Sequence, residues 1–241
     1  MKLTLVGKRY LDTIYQIPSF VQNETNPAIV LGKQYGGMHN VNTLKIKDLE
    51  INLLPDGEKQ AIILEEREKG VRSSITWDET PSFGRSFQDP RNNPDWFHVM
   101  YVDDMENTER LLDVKPKMSL DFCTTTPREK FKDIIDASEL VFDSRERKHL
   151  YANIKTTTPL VFHDKYGCEV IVEGTVEYEG QTKPIEDLLV NGAGDIFAVL
   201  FLHEYYTRSL HEAALFTPAK TTSELIRRQY EKVQHAHPSS G

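Results

Sequence analysis

Residues 191–206 read NGAGDIFAVLFLHEYY and form the most informative stretch of the chain. The part after Asp195 is apolar on almost every side, which predicts a helix buried in the middle of a domain. The glycines before it allow tight turns and a close approach of the backbone to a ligand. The first amides of such a helix lack partners within the helix and lie at the positive end of its dipole. This stretch therefore predicts an anion site suited to phosphate.

Asp195 indicates which reaction the predicted anion site could serve. A carboxylate beside a bound phosphate can take the proton from a hydroxyl whose oxygen attacks the γ-phosphoryl group, while the helix amides stabilise the developing charge. The alternative is a plain glycine turn followed by an acidic residue in the first helical turn, which is common without catalysis. From these residues alone, both interpretations stay open.

Upstream of this stretch, short apolar runs alternate with helical segments. Single strands are predicted at Leu3–Val6 (ending at Gly7), 29–31, 96–102, 118–122, 139–142 and 160–163. Two further strands are predicted within 60–76, joined by a turn at 69–70. Helices are predicted at 106–112 and 127–137. The segment 78–95 is predicted as loop and 235–241 as a disordered tail. Alternating strands and helices indicate an α/β fold with a mostly parallel sheet covered by helices.

In such folds, ligands bind beyond the carboxyl ends of the strands. Candidate functional residues therefore follow the predicted strands: residues 7–12, Asp103, Asp121, 143–146 and 163–164. For Asp103 and Asp104, solvation or helix capping explains the pair better than a metal site.

Composition limits the classes of function. The chain has 241 residues, 39% of them hydrophobic and 27% charged, which fits one globular domain. Its net charge of -8 disfavours a nucleic-acid binder, since such proteins carry basic surfaces. Cys123 and Cys168 form no CxxC pair, and the N-terminal apolar run is too short for a signal peptide. Without a run of about 20 apolar residues, we expect a cytoplasmic protein with no membrane partner.

The NGAGDIF stretch resembles the GAGDxF signature of the PfkB (ribokinase-like) family of carbohydrate and nucleoside kinases. Other stretches resemble that family in the expected order over about residues 1–216. Gly7 and Asp12 in LVGKRYLDTIY resemble its opening strand, and Gly36, Gly37 and Asn40 in YGGMHNVNTL resemble its second signature, GGxxxN. Two positions differ from the family pattern, because Leu189 stands where an aspartate is usual and Asp143 begins the motif that is usually NxxE.

The resemblance implies a three-layer α/β/α sandwich with a mostly parallel central sheet, built from residues 1–241 as one domain. It implies a small β lid from about 12–35 and 60–76, and pairing of such lids between two subunits would give a homodimer. It also implies ATP and Mg²⁺, with a hydroxyl of a sugar or sugar-like molecule as the phosphate acceptor. A nucleoside acceptor is the nearest alternative, and a ligand-binding homologue with impaired catalysis is the alternative from another class.

The resemblance also assigns roles to particular residues. Asp195 would be the general base, and Gly192, Ala193 and Gly194 would form the anion hole. The substrate contacts would be Asp12, Gly36, Gly37 and Asn40. The nucleotide side would be formed by Asn191, Gly192, Gly194, His163 and Gly167. Glu146, with Asp143, would organise Mg²⁺.

Overall fold

The computed structural model describes residues 1–21, 25–42, 44–66, 71–80, 94–114, 117–185 and 191–236, and within these residues ten strands form one sheet. The strands are β1 (Lys2–Ile17), β2 (Ile29–Gly37), β3 (Glu50–Glu66), β4 (Val71–Thr80), β5 (Trp96–Val99), β6 (Lys117–Asp121), β7 (Leu140–Ser144), β8 (Leu160–Asp164), β9 (Gly167–Val172) and β10 (Thr175–Gln181).

The sheet order is β10-β9-β8-β7-β6-β5-β1-β3-β4, and β2 also pairs with β1. Every pairing from β3 through β1, β5, β6 and β7 to β8 is parallel. The pairs β1·β2, β3·β4, β8·β9 and β9·β10 are antiparallel. The predicted α/β fold with a mostly parallel sheet is confirmed, and the parallel strands end at one edge of the sheet.

Helices cover both faces of this sheet. On one face, α2 (Ala193–Thr207) packs on the central strands, where Phe197 and Phe201 meet Phe142 of β7, and α3 (Leu210–Ala236) packs against α2, β9 and β10. On the other face lie the short α1 (Lys132–Asp136) and several 3-10 turns, and Ile135 of α1 packs in a cluster with Leu120 of β6. Residues 195–202 of α2 are buried without interruption, as the sequence predicts.

The first strand does not end at Gly7 as predicted. It continues beyond Gly7, because β2 replaces β5 as its hydrogen-bonded neighbour. Residues 3–6 of β1 pair with β5, whereas residues 9–16 pair with β2. The register between β1 and β3 shifts between Gly7 and Arg9, and a Cβ on Gly7 would lie 2.7 Å from the Met100 carbonyl oxygen. The chain therefore needs glycine where β1 leaves the central sheet.

Beyond that point, four strands continue as an outer sheet in the order β2-β1-β3-β4. We use this name for residues 9–17 of β1, Ile29–Gly37, residues 58–66 of β3 and Val71–Thr80. The two strands predicted within 60–76 are present as parts of β3 and β4, and the turn predicted at 69–70 lies outside the described residues.

Several other boundaries differ from the prediction. β5 is shorter, because Tyr101 adopts left-handed backbone angles and a 3-10 turn occupies Val102–Asp104. The 127–137 helix is partly a 3-10 turn, Arg128–Phe131, before α1. β4 continues to Thr80 into the predicted loop, and residues 81–93 and 237–241 lie outside the described part.

The long helix α3 is absent from the prediction and reaches Ala236, into the expected tail. Within the described ranges, no helix has both the length and the hydropathy that crossing a bilayer requires.

Candidate active site

The glycine turn before α2 packs directly against the turn that follows β2. Gly192 is the N-cap of α2, with φ 82°, a left-handed angle that favours glycine. A Cβ on Gly192 would lie 2.4 Å from Cγ of Asn40. The first amides of α2, from Ala193 onward, have no acceptor within the helix and lie at this contact. The turn can therefore present backbone N–H groups beside Asn40 only because residue 192 has no side chain.

Asp195 lies in the first turn of α2 and is 3% exposed. The Tyr101 hydroxyl donates a hydrogen bond to Oδ1 of Asp195 over 2.5 Å. The Asn40 side-chain amide donates one to Oδ2 over 2.6 Å. Two donors, one on each oxygen, orient the carboxylate and favour its ionised form.

Asp12 lies on the outer sheet at the same place. Its side chain is buried, and the Asn191 amide donates to its Oδ2 over 3.0 Å. A Cβ on Gly36 would lie 2.1 Å from the same oxygen, so β2 can approach Asp12 only with glycine there. Gly37, with φ 60°, lies against the rings of Tyr10 and Tyr101.

The structure therefore brings together seven predicted residues from three parts of the chain: Asp12, Gly36, Gly37, Asn40, Asn191, Gly192 and Asp195. Ala193 and Gly194 follow in the same helical turn. One detail differs from the family signature, since two residues rather than three separate Gly37 from Asn40.

Charged side chains form ion pairs at the ends of neighbouring parallel strands. The side chain of Arg128 is fully buried and donates to Asp103 over 3.1 Å and to Oδ2 of Asp143 over 2.8 Å. Arg147 binds the other oxygen of Asp143 over 2.6 Å, and the Tyr151 hydroxyl donates to Oδ2 over 3.0 Å. Both oxygens of Asp143 are thus taken up by guanidinium groups.

A cation at Asp143 would have to displace an arginine, so the predicted assignment of Asp143 to Mg²⁺ does not fit this arrangement of side chains. Among the residues that the structure describes, no group of three or more His, Cys, Asp or Glu side chains converges as a metal site would. Glu146 is exposed in the 3-10 turn after β7, and its backbone N–H donates to the Ser144 hydroxyl over 3.4 Å.

Asp121 ends β6 and is 5% exposed. Burial is the main cause that raises its pKa well above the ordinary value, and the charges of Asp195 and Asp143 raise it further. The protonated form of Asp121 is therefore favoured more than in an ordinary aspartate, next to the Asp195 carboxylate.

His163 lies beneath the first turn of α2. Its ring stacks on Phe197 at 4.6 Å, and a Cβ on Gly194 would lie 3.2 Å from its Cε1. Burial lowers the pKa of His163 to about 4, so the ring is neutral. His163 thus lies next to Gly194 of the predicted anion hole, and its role on the nucleotide side stays a prediction.

Strand packing explains why residue 167 is glycine, without any contact to a nucleotide. A Cβ there would lie 2.0 Å from the Gly180 carbonyl oxygen, so the residue is glycine because β10 passes over it. No described contact joins Gly167 to α2.

Two residues of the site were not predicted from the sequence. Tyr101 reaches Asp195 from the end of β5, and no local pattern distinguishes it from other tyrosines. Arg228 of α3 donates to the backbone carbonyl oxygen of Asn40 over 2.5 Å, while its Nε donates to Glu224 over 2.8 Å.

A cavity of about 860 Å³ lies away from this site, lined by residues that include Lys148, Leu160 and Ile171.

No protein-family model and no curated protein matches the sequence. Solved structures do match in shape. Ribokinase from Thermotoga maritima is 12% identical with a TM-score of 0.63, and the match covers 91% of each chain. A nucleoside kinase from Methanocaldococcus jannaschii is 14% identical with a TM-score of 0.58, covering 95% of this chain and 98% of that one. Ribokinase from Cryptococcus neoformans in complex with ADP is 13% identical with a TM-score of 0.63, covering 88% and 89%.

Proposed function

We propose, on the premise that this chain has the ribokinase-like fold, that it transfers a phosphoryl group from ATP to a hydroxyl of a small sugar or sugar-like molecule. The observation that carries the proposal is the position of Asp195: an oriented carboxylate in the first turn of a buried helix, directly after a glycine turn. The solved structures that share the fold include sugar and nucleoside kinases, and one of them holds ADP.

Asp195 would act as the general base. Its two donors favour the ionised carboxylate, which makes it a weak base, and a loose phosphoryl-transfer transition state needs the proton removed only late. The amides of residues 192–194 would stabilise the charge on the transferred group, since they lie at the positive end of α2. Because Asp195 is only 3% exposed, the acceptor must enter by parting the outer sheet from α2.

Asp12 and Asn40 would bind the hydroxyls of the acceptor, with Gly36 and Gly37 allowing close approach. Both polar side chains lie within one hydrogen bond of the α2 turn, through Asn191 and Asp195 respectively. Asn191 and His163 would lie on the donor side of that turn. A nucleoside remains the second candidate acceptor, because a nucleoside kinase shares the fold over nearly its whole length.

For magnesium, Glu146 fits better than Asp143. Its carboxylate is exposed beyond the end of β7, whereas both oxygens of Asp143 bind arginines. We propose that Glu146 would hold Mg²⁺ through water, as hydrated Mg²⁺ commonly binds through few carboxylates. The ion would neutralise charge on the donor phosphates.

The test is ATP consumption with a panel of sugars and nucleosides, comparing wild type with Asp195→Asn. We expect turnover with a subset of acceptors, and a loss of at least a hundredfold in kcat in the variant. Asp133→Asn, an exposed aspartate of α1, serves as the matched control and should retain activity. An Asp195→Asn protein as active as wild type would refute the role of Asp195. Ligand-induced thermal stabilisation without turnover in any protein would favour a binding protein instead.

A further inference from the structure

Tyr101 has an uncommon backbone conformation for an aromatic residue. It lies just after β5 with φ 57° and ψ 51°, in the left-handed region. Non-glycine residues rarely adopt these angles, and such strain persists only where the surroundings fix it. Here, the conformation places the hydroxyl 2.5 Å from Oδ1 of Asp195.

The ring of Tyr101 is fixed by the outer sheet. It meets the Tyr10 ring of β1 edge to face at 5.4 Å, and it lies against Gly37 at the end of β2. The position of Tyr101 therefore depends on its ring contacts with two strands of the outer sheet, β1 and β2.

Other groups that influence the Asp195 carboxylate come from every neighbouring element. Asn40 donates to Oδ2, and Arg228 of α3 lies behind Asn40. Asp121 of β6 interacts with Asp195 as a like charge, and Arg147 lies near Asp121. His163 of β8 is below Gly194. The Tyr101 hydroxyl donates to the other oxygen of the carboxylate, Oδ1.

We infer that Tyr101 is a positioning residue for the general base: its hydroxyl holds Asp195 ionised and correctly oriented, and it relays the position of the outer sheet to the carboxylate. This inference rests on the proposed role of Asp195. A phenol that donates to a carboxylate stabilises the charged form, so loss of the phenol makes the carboxylate easier to protonate. The carboxylate also gains freedom to rotate away from the acceptor oxygen.

The experiment compares Tyr101→Phe with Tyr10→Phe. Both changes remove one hydroxyl and keep an aromatic ring at the Tyr10–Tyr101 contact, but only Tyr101 contacts Asp195. The carboxyl ¹³C resonance of Asp195, assigned by its loss in Asp195→Asn, is titrated in the full-length unliganded protein. We expect its pKa to rise by about one pH unit in Tyr101→Phe and to stay unchanged in Tyr10→Phe. This measurement requires no enzymatic activity.

With an acceptor identified, the pH profile of kcat provides the second measurement. In Tyr101→Phe, the acidic side of the pH profile should move to higher pH by about one pH unit, the same shift as in the titration. The value of kcat should fall about tenfold, with little change in KM. An unchanged titration in Tyr101→Phe would overturn the inference, even if phosphoryl transfer were established. Tighter acceptor binding without a titration shift would also overturn it, because the hydroxyl would then merely cover Asp195. A shifted titration without any turnover would instead count against the proposed function.

Discussion

At the scale of single residues, the candidate site depends on glycine at position 192, because a side chain there would not fit. The left-handed turn and the 2.4 Å approach to Asn40 both require glycine, and Asn40 in turn donates to Asp195. A methyl group at this position would push on the amide that orients the Asp195 carboxylate.

We therefore expect Gly192→Ala to lower kcat/KM about a hundredfold, because Asn40 must shift by an ångström or more. The left-handed angle adds a loss of about 1–2 kcal/mol in unfolding free energy. Steady-state kinetics and urea denaturation measure the two effects. Gly174→Ala is the control, since Gly174 has the same φ of 82° but no atom within 4 Å of the added Cβ. Equal kinetic losses in both variants would refute the contact with Asn40.

The sequence predicts this part of the site well because its information is local. Gly192 and Asp195 lie within four residues of each other, and the apolar run after them specifies burial. Asn40 lies 155 residues from Asp195 and was identified only through the family resemblance. Tyr101 was missed because its contact depends on a left-handed backbone angle that no neighbouring glycine signals.

At the scale of elements, α3 supports the site from behind. Leu225 packs in a cluster with Ile196 and Ala193 of α2, and one turn later Arg228 donates to the carbonyl oxygen of Asn40. The helix thus fixes the turn that carries Asn40 relative to the helix that carries Asp195.

Arg228→Met should raise the KM for the acceptor about tenfold, because Asn40 loses a charged donor to its backbone. Arg227→Met is the matched control, since Arg227 pairs with the same Glu224 on the exposed side of the helix. It should change KM by less than about twofold. Similar values of KM in the two variants would contradict the supporting role of Arg228.

Sequence patterns do not reveal α3 or the full length of β1. Pro218 and a high content of threonine, lysine and glutamate conceal the amphipathic periodicity of the helix. In β1, buried Tyr10, Asp12 and Ile14 alternate with less buried residues, but two of the three are polar, so the alternation is weak. The central strands, in contrast, are short apolar runs, and their prediction is confirmed.

At the scale of the whole molecule, acid should destabilise the protein partly through His98. This side chain is fully buried, and burial lowers its pKa to about 3 from an ordinary value of about 6.5. Between these values the unfolded chain binds the proton and the folded chain does not, so stability falls as pH decreases through this window. Asp121 acts in the opposite sense, since its pKa is raised in the folded state.

His98→Asn isolates the histidine, because asparagine keeps a polar partner for the Ser119 hydroxyl but does not titrate. Between pH 6 and pH 4.5, the unfolding free energy of wild type should fall more steeply than that of the variant, by about 1.4 kcal/mol per pH unit. Urea denaturation at several pH values gives both slopes. Parallel slopes would show that His98 does not resist protonation in the folded protein.

A homodimer through the outer sheet stays a prediction, and β2 offers it an apolar edge. Ile29, Val30 and Tyr35 of β2 are 66%, 60% and 61% exposed. Exposed apolar groups clustered on an edge strand are typical of surfaces that pair with another chain.

Val30→Glu should therefore shift a dimer toward monomer at micromolar concentration, since a buried carboxylate would oppose association. Sedimentation velocity measures the change. Val176→Glu places the same charge on β10, at the opposite edge of the sheet, and should leave the dimer intact. A wild-type protein that sediments as a monomer throughout this range would contradict dimerisation.

The two longest strands have a mechanical consequence for how the acceptor enters. β1 and β3, with 16 and 17 residues, pass uninterrupted from the central sheet into the outer sheet and pair in parallel along almost their whole lengths. Through β1 and β3 the outer sheet thus continues directly from the central sheet, so parting it from α2 must bend two hydrogen-bonded backbones together. The register shift beside Gly7 is where that bend costs least, so a rigid-body opening would be centred there, next to Lys8, whose carbonyl oxygen faces Gly37 at the end of β2.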